Sequence, residues 1–248
     1  MADHVAPTSS KAPRPRYLAI DVLRGIAIAL MVVFHFIYDL DHFHFVDVDF
    51  HRDPFWLNFR LLIVVLFLGL VGFSLQLATG TRLNFPRYLR RLAMLVGAAA
   101  LVSLGTYVVF GDKMILFGVL HFIALASLLG LLFRHFYWLN LLLGIGIIAA
   151  GMNFQHEWFN APQWHWIGLM TKRPITLDYV PMIPWFGIVL IGMFSARVVQ
   201  KYKLLTASAQ GGENPLTKVL ALGGQHGLLI YLLHQPLLFG ALSLVAFL

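Results

Sequence analysis

The chain has 248 residues, 59% of them hydrophobic and only 12% charged, with a mean hydropathy of +0.78. A soluble domain is about half apolar and about a quarter charged, so this composition excludes a water-facing globule and a disordered chain alike. The absence of cysteine excludes disulfides, thiolate nucleophiles and thiolate metal sites, and the net charge of +7 takes its meaning from where the charges fall.

A polar tail, residues 1–16, comes first. It is too hydrophilic for a signal peptide, and no small-residue cleavage site follows the apolar run behind it, so that run reads as an uncleaved signal anchor. Seven apolar runs then follow, at 17–40, 60–78, 88–110, 114–133, 136–154, 180–199 and 225–248. Each is near the ~20 residues that a membrane-spanning helix needs, and none shows the alternation of a barrel strand. The expectation is an all-α integral membrane protein with one transmembrane domain, 17–248, of about seven helices.

Lysine and arginine set the orientation. One set of connections holds Lys11, Arg14, Arg16, Arg82, Arg87, Arg90, Arg91, Arg134, Arg197, Lys201, Lys203 and Lys218; the other holds Arg52, Arg60, Lys113, Lys172 and Arg173. Twelve against five puts the amino terminus in the cytoplasm and the carboxyl terminus outside. Asp39, Asp41, Asp47, Asp49, Asp53, Asp112, Glu157 and Asp178 all fall on the outer side of this scheme. The basic balance thus records topology and gives no support to nucleic-acid binding. A multi-pass protein of the cell (inner) membrane is expected.

The first run carries polar residues that cost about 2.5–3.5 kcal/mol each at mid-membrane. Asp21, Arg24, Ile28, Met31, His35 and Asp39 recur at three- and four-residue steps and share one helix face. Asp21 and Arg24 are one turn apart and able to pair. His35 and Asp39 are one turn apart at the other end, where the carboxylate is expected to orient the imidazole. Eleven positions separate Arg24 from His35, about 16 Å along a helix. His121 and His234 lie inside later runs, and Pro236 after His234–Gln235 kinks its helix and frees a carbonyl. Arg87, Arg90 and Arg91 open the third run and suit phosphate groups. The 41–53 loop is dense in histidine and aspartate but lacks a recognised metal-ligand pattern, and no metal is expected. The tryptophans of 153–179 fit an interfacial belt or a sugar-stacking face. Gly144 and Gly146 are too close for the four-residue association motif, so an oligomer is possible but unmarked. These residues leave three readings open: an enzyme, a non-enzymatic carrier or channel, and a histidine-ligated haem protein.

The stretch 16–35, RYLAIDVLRGIAIALMVVFH, resembles the opening helix of the membrane acyltransferase superfamily. In its acyltransferase-three branch an Arg, ten residues and a His recur, a spacing that Arg24 and His35 match. FHFIYDL at 34–40, FGVLHF at 117–122, DYVPMIPW at 178–185 and LHQP at 233–236 resemble the bacterial branch of the heparan-alpha-glucosaminide N-acetyltransferase family. The resemblance covers nearly the whole chain, but the loop histidine of eukaryotic members has no counterpart here. It implies a multi-pass acyltransferase that moves an acyl group, acetyl in the first place, from cytoplasmic acyl-CoA to a hydroxyl or amine of an extracytoplasmic sugar or glycan. His35 and Asp39 are then the catalytic candidates. Arg87, Arg90 and Arg91, with Arg82 weaker, receive the CoA phosphates, the pantetheine arm threads inward beside Arg24, and His121, Asp178, Tyr179, His234 and Gln235 line the substrate cavity.

Overall fold

The computed structural model describes residues 17–80, 83–176, 178–205 and 214–247. The expected 1–16 tail, with Lys11, Arg14 and Arg16, and the CoA candidate Arg82 lie outside the described residues. Three helices start with the same local device, an Asx side chain that caps the first free N–H groups just before a proline, whose missing N–H costs nothing there. Asp53 accepts from the Phe55 N–H at 2.8 Å at the head of α2 (Pro54–Thr79). Asn84 accepts from the Arg87 N–H at 3.2 Å at the head of α3 (Phe85–Phe110). Asn214 accepts from the Leu216 N–H at 2.9 Å at the head of α7 (Pro215–Gln225).

The other helices are α1 (Leu18–His42), α4 (Val119–Phe133), α5 (Trp138–Asn153), α6 (Met182–Lys201) and α8 (Gly227–Ala246). Short 3-10 turns occupy Gly111–Lys113, Glu157–Asn160 and Pro162–Trp164. No strand occurs among the described residues.

Each of the seven apolar runs falls on a helix, α1 to α6 and α8, and five of these are long and apolar enough to cross a membrane. The chain is a multi-pass membrane protein. α4 and α5, at 15 and 16 residues, rise only about 22–24 Å, short of the ~30 Å hydrocarbon layer. α7 is an addition: an 11-residue helix continuing into α8 through a single irregular residue, His226, with the backbone bond from Ile230 N–H to His226 O at 3.1 Å intact. Leu101, Leu104 and Val108 of α3 and Leu142, Ile145 and Met152 of α5 are each more than half exposed, as lipid-facing side chains must be.

In the interior, small residues let backbones touch, which is how helices associate without a hydrophobic drive between them. A Cβ on Gly72 would collide with the Val189 carbonyl, locking α2 to α6. A Cβ on Gly25 would collide with the Leu220 carbonyl, and one on Gly224 with the Asp21 carbonyl. α1 and α7 therefore lie backbone against backbone at the polar end of α1. Leu68, Phe122, Val189, Leu190 and Met193, all without exposed surface, fill the core among α2, α4 and α6.

Candidate active site

The stripe of α1 faces inward. Asp21, Ile28, Met31 and Asp39 are buried, whereas Arg24 and His35 keep some accessible surface. Arg24 Nη1 pairs with Asp21 Oδ1 at 2.9 Å, and Nη2 donates to Ser74 Oγ of α2 at 2.6 Å. The Ser74 hydroxyl hydrogen goes to the Leu70 carbonyl at 2.5 Å, so Ser74 can only accept from the arginine. From α7, Gln225 Nε2 donates to Asp21 Oδ2 at 3.3 Å. Three helices thus fix one guanidinium about 16 Å along α1 from His35.

Arg91 of α3 lies within electrostatic reach of Arg24 and of Tyr88, and Tyr88 donates its hydroxyl to the Ser127 carbonyl at 2.8 Å. Arg91 has no carboxylate partner among the described residues. Two arginines with a single carboxylate between them, Asp21 on Arg24, make a station that suits an anion. Arg87, Arg90 and Arg91 are all exposed on the first turns of α3, and of the three Arg91 is the one that lies within electrostatic reach of Arg24.

At the other end of the stripe two imidazoles meet. His35 Nδ1 donates to the Met31 carbonyl at 2.9 Å, and His234 Nδ1 donates to the Tyr231 carbonyl at 2.7 Å. A carbonyl only accepts, so in both neutral rings Nδ1 carries the hydrogen and Nε2 keeps a lone pair. The rings pack edge to face, centroids 4.9 Å apart and planes at 78°.

Asp39 does not orient His35 as the helical spacing suggested. Its Oδ1 accepts from Gln235 Nε2 of α8 at 2.7 Å, and its Oδ2 has no partner. The reason is local: His35 has already given its Nδ1 hydrogen to its own helix, so the buried carboxylate takes its donor from the neighbouring one.

Asp178 sits just before α6, and its Oδ2 accepts from the Val119 N–H at 2.8 Å and from the Tyr231 hydroxyl at 3.5 Å. Val119 is the first residue of α4, so the carboxylate faces the positive end of that helix. Gly118 has no room for a Cβ because Asp178 Oδ2 fills the place. Burial nevertheless pushes the Asp178 carboxyl above its ordinary range, against the pull of its two donors. The Tyr231 and His234 rings lie 5.6 Å apart. Asp178, Tyr231, His234 and His35 therefore form one chain of contacts, with the Gln235–Asp39 pair within electrostatic reach of His234.

His121 and Tyr179 spend their polar atoms on the scaffold. His121 Nε2 meets Ser103 Oγ at 3.0 Å and its Nδ1 accepts from the Gly118 N–H at 3.3 Å, closing the start of α4. Tyr179 donates to the His165 carbonyl at 2.6 Å, and burial raises its phenol above the ordinary value. In the 41–53 loop, Asp41 and Asp49 take the backbone N–H groups of Val48, His51 and Arg52. Trp158 and Trp164 stack on each other at 4.7 Å. An apolar groove of about 300 Å³ between α2 and α6 contains none of the candidate residues.

Ser74, Gln225 and Tyr231 were not singled out in the sequence. Tyr231 carried a signal, since it precedes His234 by three positions and shares its helix face. Ser74 and Gln225 carried none beyond being polar in apolar surroundings.

Residues 16–236 match the family described as Heparan-alpha-glucosaminide N-acetyltransferase, catalytic. The chain belongs to that family. Membership brings transferase activity with it, and the matched stretch runs from two residues before α1 to the proline after Gln235, enclosing both stations of the stripe. No curated protein and no solved structure matches the chain.

Proposed function

We propose that this protein is a membrane acyltransferase that moves an acyl group, acetyl in the first place, from cytoplasmic acyl-CoA to a hydroxyl or amine of a sugar or glycan on the far side of the membrane. The observation that carries the reading is the spacing of two stations on one helix face. Arg24, with Arg91 nearby, offers positive charge to an anion, and His35 offers an unprotonated Nε2 about 16 Å away. An extended phosphopantetheine arm covers such a span, with Ile28 and Met31 as the apolar wall between. Acetyl-CoA is the family's donor in general.

The amino terminus is cytoplasmic in this proposal, following the lysine and arginine asymmetry, so the Arg24 end of α1 faces the acyl-CoA pool and the His35 end faces the acceptor. Arg24 and Arg91 hold the phosphates, with Arg87 and Arg90 drawing the ligand in from the surface. His35 Nε2 takes the proton of the acceptor as its heteroatom attacks the thioester carbon. The carbon–sulfur bond breaks, and the proton passes to the departing sulfur. His234, Gln235 and Asp178 border the reacting groups, while His121 and Tyr179 shape the surrounding scaffold.

The test uses purified protein in lipid vesicles with radiolabelled acetyl-CoA and a panel of amino and neutral sugars. Thioester consumption with label in the sugar is expected. His35→Ala should cut kcat by at least about hundredfold while the protein remains folded. Full turnover in that variant rejects His35 as the base, and no turnover by the unaltered protein with any acceptor rejects the reading.

A further inference from the structure

Five buried side-chain atoms lack a hydrogen-bond partner among the described residues, and three of them belong to Asp39, His234 and Gln235. They are Asp39 Oδ2, His234 Nε2 and Gln235 Oε1. All three are acceptors, because His234 has committed its hydrogen through Nδ1 to the Tyr231 carbonyl at 2.7 Å. A buried cluster of acceptors with no donor is an arrangement that one added proton would relieve. His35 Nε2, a fourth lone pair, belongs to a ring whose centroid is 4.9 Å from that of His234. The edge-to-face packing sets the positive rim of one ring against the electron-rich face of the other, so the ring that presents its edge can carry a proton against its neighbour's face. Two protonated rings at this distance repel each other, so the pair holds one proton at a time.

We propose that His35 and His234 form a one-proton pair in which His234 shares the proton that His35 takes from the acceptor, while Asp39, fixed by Gln235, supplies the compensating charge. His234 and Asp39 are then positioning residues that act through His35. The proposal rests on the acyl-transfer reading. The acceptor's heteroatom forms a bond to the acyl carbon, and its hydrogen leaves as a proton for His35 Nε2. The carbon–sulfur bond breaks with its electron pair on sulfur. The proton held by the pair then moves to that sulfur, releasing the CoA thiol and returning both imidazoles to the neutral form. No further reactant is needed. The gain is specific to a membrane interior, where an isolated imidazolium or thiolate is far costlier than in water.

The titratable and charged groups around the pair come from three places. α1 contributes Asp39 and His42, both within electrostatic reach of each other. α8 contributes Tyr231, whose ring touches His234. The segment before α6 contributes Asp178, joined to the Tyr231 hydroxyl at 3.5 Å.

Imidazole resonances of protein labelled with nitrogen-15 histidine, followed by NMR across pH in detergent micelles, test the pairing without any turnover. The His35 and His234 signals are expected to move together through one shared transition. In His234→Gln, which removes the second imidazole, His35 should titrate alone along a different curve. The same variant should lower kcat about hundredfold, alter its pH profile, and leave the KM for acetyl-CoA within about twofold. A His35 titration curve that His234→Gln leaves unchanged overturns the proposal. If that variant does not fold, Asp39→Asn takes its place: a shared transition at an unaltered pH then overturns it. Independent titrations beside full turnover sink the pair and spare the transfer reading; a shared transition without turnover does the reverse.

Discussion

Asp178 shows what one side chain does when burial and hydrogen bonding oppose each other. Its two donors, the Val119 N–H and the Tyr231 hydroxyl, favour the carboxylate, but burial outweighs them and raises the carboxyl above its usual 3.8. A raised acid binds its proton more tightly in the folded chain than in the unfolded one. Folding is therefore helped below the unfolded value, and that help is lost as pH climbs from near 3.8 towards the folded pKa. Asp178→Asn keeps an acceptor for Val119 and removes the titration. In thermal unfolding of the solubilised protein between about pH 4 and pH 7, the variant should gain on the parent as pH rises. A difference that stays flat with pH would show that burial does not govern this carboxyl. At the same scale, the periodicity of α1 made the inward stripe legible from the sequence. The partners of its ends were not, because Asp39 binds Gln235 across a separation of 196 positions and nothing local marks which helix will lie alongside.

Among the elements, α7 was the least visible in the sequence and has the greatest effect on the Arg24 station. Its 11 residues include Thr217, Lys218 and two glycines, a composition that reads as a connection. Those glycines are what bring it against α1. Gly224 lies so close to the Asp21 carbonyl that no Cβ fits between, and the next residue, Gln225, reaches Asp21 from there. Gly224→Val should therefore push α7 away from α1, costing about 1–3 kcal/mol by overpacking and loosening the carboxylate that steadies Arg24. A lower unfolding temperature together with a higher KM for acetyl-CoA is expected. Gly146→Val on α5 is the control, since a Cβ there meets nothing within 4 Å. Equal losses in the two variants would mean that any valine in a helix does the damage and that the α1–α7 contact has no special part. The caps on α2, α3 and α7 are, by contrast, local, held within Asp-Pro, Asn-Phe-Pro and Asn-Pro, because capping is a matter of neighbours in sequence.

For the whole molecule, the open quantity is the number and direction of the crossings, since α4 and α5 fall short of a full bilayer when straight. The chain has no cysteine, so single cysteines placed one at a time report on sidedness with a membrane-impermeant maleimide. Asp47 lies between α1 and α2, His135 between α4 and α5, Glu157 between α5 and α6, and Lys203 just beyond α6, and all four are exposed. Seven crossings with a cytoplasmic amino terminus require that Asp47→Cys and Glu157→Cys react in intact cells. His135→Cys and Lys203→Cys should then react only once the membrane is opened. His135 is the discriminating position: labelling there from outside would make α4 and α5 a re-entrant pair and leave five crossings. That result would keep Arg24 and His35 at opposite ends of α1 and leave the transfer proposal standing. A fully inverted pattern would be more damaging, because Arg24 and Arg91 would then face away from the compartment that holds acyl-CoA, and the direction of transfer proposed for this stripe would have to be abandoned.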